Sequence, residues 1–148
     1  MKYTLQERLG RFGARWGCYA ACLINIAETE LERRLTHNEM LMAVGAMFLG
    51  EQVAMANYKD HKAIGREKPG WSEIADPEWH FLVRHQERAL ADILAVFGLT
   101  LEGLQHEYEI HALKPKTGSH FVLVVDGKER INPDPAITGL VVDRRKVA

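Results

Sequence analysis

A chain of 148 residues, 47% hydrophobic and 26% charged, is long enough for one domain to bury a conventional core without staples. Its formal net charge of −1 gives no electrostatic ground for a nucleic acid or an anionic membrane surface as partner. The opening MKYTLQERLG lacks the apolar stretch of a signal peptide, and no run approaches the length of a membrane span. The expectation is therefore a cytoplasmic protein with reduced thiols, unless a signal-independent route exports it.

The sequence changes character once. It reads helical up to about Gly103 and as strands and turns after Glu107, with no internal repeat or linker, so residues 1–148 read as one α+β domain with N-terminal helices packed on a C-terminal antiparallel sheet. The first helix is predicted from near Cys18 to Leu35, with Gly17 as its N-cap, Tyr19, Cys22, Leu23, Ile26, Leu31 and Leu35 inward, and the charged run Glu28 to Arg34 on a solvated face. Thr36-His37-Asn38-Glu39 is a capping box that opens a second helix, with Met40, Leu41, Val44, Met47, Phe48 and Val53 inward. Gly45 inside that helix costs stability, which the close approach of another helix would offset.

From Asn57 to Pro77 the pattern fades into charge, glycine and proline, a long loop that reads either as a functional segment such as a lid or as a simply mobile one. Trp71 and Trp79 flank its end, as a substrate wall or as caps on the core. A third helix is predicted over about Pro77 to Phe97, ended by Gly98. YEIHAL, HFVLVV, KERIN and GLVVD then read as strands, and Asp126-Gly127 as a hairpin turn. A two-residue turn pairs Val125 with Lys128 and leaves His120 opposite Pro133. A three-residue loop with Gly127 left-handed pairs Val124 with Lys128, setting His120 opposite Asn132 with Asp134 diagonal on the same face. Both loops are common, and the sequence does not choose between them.

The only two cysteines, Cys18 and Cys22, stand four apart in RWGCYAAC. On one helix their parallel Cβ directions disfavour a disulfide, and redox chemistry prefers a C-x-x-C spacing. The histidine pairs His80/His85 and His106/His111, five apart, suit neither a helix face nor the usual zinc spacings, so no metal site is expected. Cys18, first in its helix after Gly17, is where unpaired amides and the helix dipole favour a thiolate, and Cys22, one turn deeper, reads as core. A cysteine so placed, facing a histidine oriented by Asn or Asp, is a nucleophilic arrangement.

Gly17-Cys18-Tyr19-Ala20-Ala21-Cys22-Leu23 resembles the nucleophile segment of the papain-like cysteine peptidases. Gly118-Ser119-His120-Phe121-Val122 resembles their histidine strand, and Ile131 through Asp134-Pro135-Ala136 to Gly139 the "DP-x-x-x-G" ending of the bacteriocin-processing (double-glycine) branch. The resemblance implies a papain-like fold, no cofactor, and a peptide, protein or cell-wall peptide as substrate. It makes Cys18 the nucleophile, His120 the base, and Asp134, or Asn132 as alternative, the group that orients the imidazole. Trp16, Tyr19 and Trp71 are the candidate substrate-binding residues. The family's oxyanion glutamine stands about half a dozen positions before its cysteine. Here the nearest upstream glutamine is Gln6, twelve positions before Cys18, and Arg15, the Trp16 indole and the Cys18 amide are alternative donors. The leading expectation is a thiol peptidase or amidase acting through a thioester acyl-enzyme, with transferases and deamidases sharing the same chemistry. The rival is a degenerate peptidase scaffold used as a binding or accessory protein, and a structural or assembly protein stands third.

Overall fold

The computed structural model describes residues 3–10, 17–56, 80–115 and 120–147. Among them, a 3-10 turn (Gln6–Leu9) precedes three helices, α1 (Cys18–Leu31), α2 (His37–Leu49) and α3 (Gln86–Val96). A two-stranded antiparallel ribbon, β1 (Val53–Ala56) with β2 (His80–Val83), separates α2 from α3. The last third is a four-stranded antiparallel sheet, in the order β5-β4-β3-β6, built of β3 (Tyr108–Lys114), β4 (His120–Val125), β5 (Glu129–Ile131) and β6 (Leu140–Val147). This is an α+β architecture with helices packed on a sheet. No helix among the described residues is long and apolar enough to cross a membrane.

α1 forms the centre because its sequence is apolar nearly all round, and every residue from Tyr19 to Thr29 is buried. It lies against β4, and one hydrophobic cluster joins its Leu23 and Ile26 to Leu90, Ile93 and Leu94 of α3 and to Tyr108, Ile110, Leu123, Val125 and Ile131 of the sheet. The helix stops at Leu31, short of the predicted Leu35, because Glu32 turns left-handed (φ 55) and the chain folds back. The reason is Glu28, which is not on a solvated face but fully buried. Its carboxyl oxygens accept from the Leu35 N–H (2.8 Å), the Thr4 N–H (3.0 Å) and the Thr4 hydroxyl (2.7 Å), drawing the N-terminal segment and the helix exit together.

The capping box forms as the spacing predicts. The Glu39 N–H donates to Thr36 Oγ1 (3.2 Å) and the Thr36 N–H to Glu39 Oε1 (2.9 Å), while Arg33 grips both oxygens of Glu39 at 2.8 Å. The inward face of α2 is Met40, Ala43 and Met47, whereas Leu41, Phe48 and Leu49 are exposed, so two of the predicted core positions face outward. Nor is Gly45 a point of close approach, since the space around it is open. The predicted third helix is shorter than expected, for its first part, His80–Val83, is extended and pairs with Val53–Ala56. The stretch Asn57 to Pro77 and both Trp71 and Trp79 lie outside the described residues.

The hairpin adopts neither predicted register. Val125 pairs with Glu129, Val124 with Arg130 and Leu123 with Ile131. Asp126 (φ 53) and Gly127 (φ 65) are both left-handed and the Lys128 N–H donates to the Val125 carbonyl (3.0 Å), which is the primed turn an Asp-Gly pair favours. Lys128 is then passed over as an extra residue, so pairing resumes one position later. At the other end of the sheet β3 and β6 approach closely before they pair. A Cβ on Gly139 would stand 2.5 Å from the Lys114 carbonyl oxygen and 2.9 Å from the Pro115 nitrogen, both backbone atoms with little room to give. Gly139→Ala is expected to cost about 1–3 kcal/mol. The check is a lowered urea midpoint at unchanged slope, and an unmoved midpoint would contradict this packing.

Candidate active site

Cys18 opens α1 directly after Gly17, whose carbonyl accepts the first helical bond from Ala21 (2.7 Å). The first-turn amides have no intrahelical acceptor, and those of Cys18 and Tyr19 face the Cys18 sulfur. A third amide comes from across the fold, the Phe121 N–H of β4. These three donors favour a thiolate, as the position of Cys18 in the sequence suggests. Burial of the thiol outweighs them, with the negative charge of Asp134 acting in the same direction, and the Cys18 thiol is pushed up to about 11. The resting group is thus a thiol, contrary to the thiolate expected from a helix start alone. Cys22, one turn deeper, is wholly buried in the core, and burial also raises its thiol.

His120 opens β4, immediately before Phe121, so the sulfur's amide partner and the imidazole stand on adjacent residues of one strand. The imidazole is 1% exposed and its Nε2 lies 2.6 Å from Asn132 Oδ1. The surrounding bonds fix both the amide orientation and the tautomer. Asn132 Nδ2 donates to the Ile137 carbonyl (2.9 Å), and Asn132 Oδ1 accepts from the Asp134 N–H (3.0 Å). The atom facing His120 is therefore the oxygen, an acceptor only, and Nε2 must carry the proton. Nδ1 is left as the basic nitrogen of the neutral ring. Burial lowers the imidazole pKa from its ordinary value, while the Asn132 bond and the Asp134 charge oppose that and the Arg130 charge assists it. At neutral pH the Cys18 thiol and the His120 imidazole are both neutral.

Asn132, and not Asp134, holds the ring. The register explains how this comes about. Continued past Ile131, it would set Asp134 opposite His120, but β5 ends at Ile131 and the chain turns. The observed register still keeps His120 and Asn132 on one face, so Asn132 reaches the imidazole from the diagonal position. The Asp134 carboxylate instead accepts the Ala136 N–H (3.2 Å) and acts on Cys18 and His120 through its charge.

Of the candidate substrate-binding residues, Trp16 and Trp71 lie outside the described residues. Tyr19 is described, and it is a core residue rather than a surface one. It is 5% exposed, its hydroxyl donates to Gln86 Oε1 (2.5 Å), and its ring meets Phe121 edge-on at 5.2 Å, tying α1 to β4 beside the site. Gln6 stands too far from Cys18 for the family's spacing, yet it is buried and its N–H donates to the Pro133 carbonyl (2.9 Å), between Asn132 and Asp134. The N-terminal segment brings it there by running back along α1, pinned at Thr4 by Asn25 and Glu28. Distance along the chain conceals this, for Gln6 stands twelve positions before Cys18. Among the described residues no group of three or more histidine, cysteine, aspartate or glutamate side chains is arranged to hold a metal ion.

Comparison with protein-family models, with curated proteins and with solved structures finds no match to this chain.

Proposed function

We propose that the chain is a thiol hydrolase of the papain-like type, a peptidase or amidase that cleaves a peptide or amide bond through a thioester acyl-enzyme. The observation that carries this reading is the His120–Asn132 bond at 2.6 Å, which leaves Nδ1 basic on the residue next to the amide that holds the Cys18 sulfur. The order of cysteine, histidine and then the Asn132–Asp134 pair, with a helix before a sheet, is that of the resemblance, and a peptide, protein or cell-wall peptide is the substrate class it implies.

In this mechanism His120 Nδ1 takes the thiol proton as sulfur attacks the carbonyl carbon. The oxyanion receives a hydrogen bond from the Cys18 N–H. The imidazolium, held by Asn132 through Nε2, then protonates the departing amine and leaves a thioester. Water, deprotonated by the same nitrogen, releases the acid and restores the thiol. Each oxyanion donor of this kind contributes roughly 10²–10³ in rate.

The test is selectivity between the two thiols. With iodoacetamide at neutral pH, Cys18 should be modified far faster than Cys22 in the folded protein, and His120→Ala should slow the Cys18 reaction at least about tenfold while leaving Cys22 unchanged. Equal rates for the two thiols would sink the assignment. A binding or accessory protein on the same scaffold is the second reading, and the thiol at about 11 favours it. Covalent capture of Cys18 by an acyl-type probe argues for the enzyme, and partner binding unchanged by Cys18→Ala, without such capture, argues for the scaffold.

A further inference from the structure

We propose that Asp134 determines specificity at this site by receiving a cationic group of the substrate, a primary ammonium or a guanidinium, held close to the bond that Cys18 attacks. The inference rests on the reading of Cys18 as nucleophile and adds the substrate's charge to it.

Asp134 is carried on a fixed loop. Its N–H is bound by Asn132 Oδ1 (3.0 Å), its carbonyl accepts from Ile137 (3.0 Å), and the preceding carbonyl, of Pro133, is held by the Gln6 N–H (2.9 Å). One carboxylate oxygen, Oδ1, accepts the Ala136 N–H (3.2 Å), an Asx turn. Oδ2 takes no hydrogen bond among the described residues, and the side chain is half-buried. Nor does an ion pair occupy it. The described salt bridges join Arg33 to Glu39, His106 to Asp126, His111 to Glu109 and Arg145 to Asp143, and none reaches Asp134.

The fold does not require a charge there. An Asx turn needs only a side-chain oxygen, which asparagine supplies equally well. The charge also opposes the chemistry at Cys18, since it acts on a sulfur that must turn anionic. A fixed, half-buried carboxylate with one oxygen uncommitted and no ion-pair partner among the described residues matches a site that a positive group of the substrate completes. With that cation bound, the penalty on the thiolate falls as well, so recognition and activation of sulfur act together.

Three methanethiosulfonates that place different charges beside the reacting sulfur provide the test: aminoethyl (cationic), methyl (neutral) and sulfonatoethyl (anionic). The readout is the rate of Cys18 modification by each in wild type and in Asp134→Asn, normalised to the same reagent's rate with a small model thiol. The wild type should prefer the cationic over the neutral reagent by about tenfold or more, the order expected for a charge pair at partial burial. Asp134→Asn should bring that ratio to near one while keeping the turn. Asp134→Ser, which also retains an acceptor, serves if the asparagine variant does not fold. A ratio unchanged by the substitution, with all three rates scaled alike, would overturn the inference and assign the charge to the thiol–imidazole pair alone. No reaction of Cys18 with any reagent in the folded protein would overturn the nucleophile reading, and this inference with it.

Discussion

His120→Ala should lower the rate at which an activated ester such as p-nitrophenyl acetate acylates Cys18 at pH 7 by about 10²–10⁴-fold, the range that general-base catalysis supplies. The size of the effect follows from the thiol at about 11. At pH 7 only about one sulfur in 10⁴ is a thiolate, so little reaction proceeds without a base to take the proton. His120 is that base because burial lowers its pKa below the ordinary histidine value and leaves the ring neutral at pH 7. The sign in pH follows directly. In the wild type the rate should climb as pH rises through the lowered imidazole pKa and then stay level, since the unprotonated ring is the active form. In the alanine variant it should climb about tenfold per pH unit until the thiol itself ionises near 11. The measurement is the release of p-nitrophenol, with mass confirmation of one acyl group on Cys18. Parallel pH profiles for the two proteins would remove His120 from the mechanism.

The parts legible in the sequence were those that local chemistry decides. The Thr36–Glu39 capping box, Gly17 before α1 and the left-handed Asp126-Gly127 turn depend on neighbours a few positions away, and each forms. What sequence reading missed was decided by distant partners. Glu28 sits in a run of charges that looks solvated, and only Thr4, twenty-four positions earlier, makes it an interior residue. Residues 80–83 look like the start of a helix until Val53–Ala56 offer them a ladder to pair with. The hairpin's turn chemistry is legible but its register is not, because one passed-over residue at Lys128 leaves no mark on the pattern of side chains.

The site shows the same division. Cys18 and His120 are marked by their settings, one at a helix start and one at the head of an apolar strand. The choice between Asn132 and Asp134 depended on where β5 stops. The ionisation of Cys18 is hidden for a related reason: a helix start is a local feature that lowers a thiol's pKa, whereas burial is a tertiary one that raises it, and here burial is the larger. Gln6 is the clearest case, placed beside Pro133 by a segment that folds back over α1 rather than by its spacing from Cys18.

Glu28 is accordingly where a single substitution should do most damage to the fold. It is 0% exposed and accepts three hydrogen bonds from two separate segments, the Thr4 amide and hydroxyl and the Leu35 amide. Glu28→Ala leaves those donors in the interior, where the Thr4 amide retains only its longer bond to Asn25 Oδ1 (3.2 Å) and the Leu35 amide loses the acceptor that folds the α1 exit back. The expected loss is about 3–5 kcal/mol, the cost of removing one member of a buried polar network and stranding the rest. Glu28→Gln keeps the shape and one carbonyl oxygen but turns an NH₂ group toward at least one donor, so about 1–3 kcal/mol is expected there. Urea unfolding gives both values, and a loss below about 1 kcal/mol for the alanine variant would contradict the network. The effect should also reach the site. Thr4 anchors the segment that carries Gln6 to Pro133, so where the alanine variant remains folded, its Cys18 acylation should slow while the His120-dependent pH profile keeps its shape.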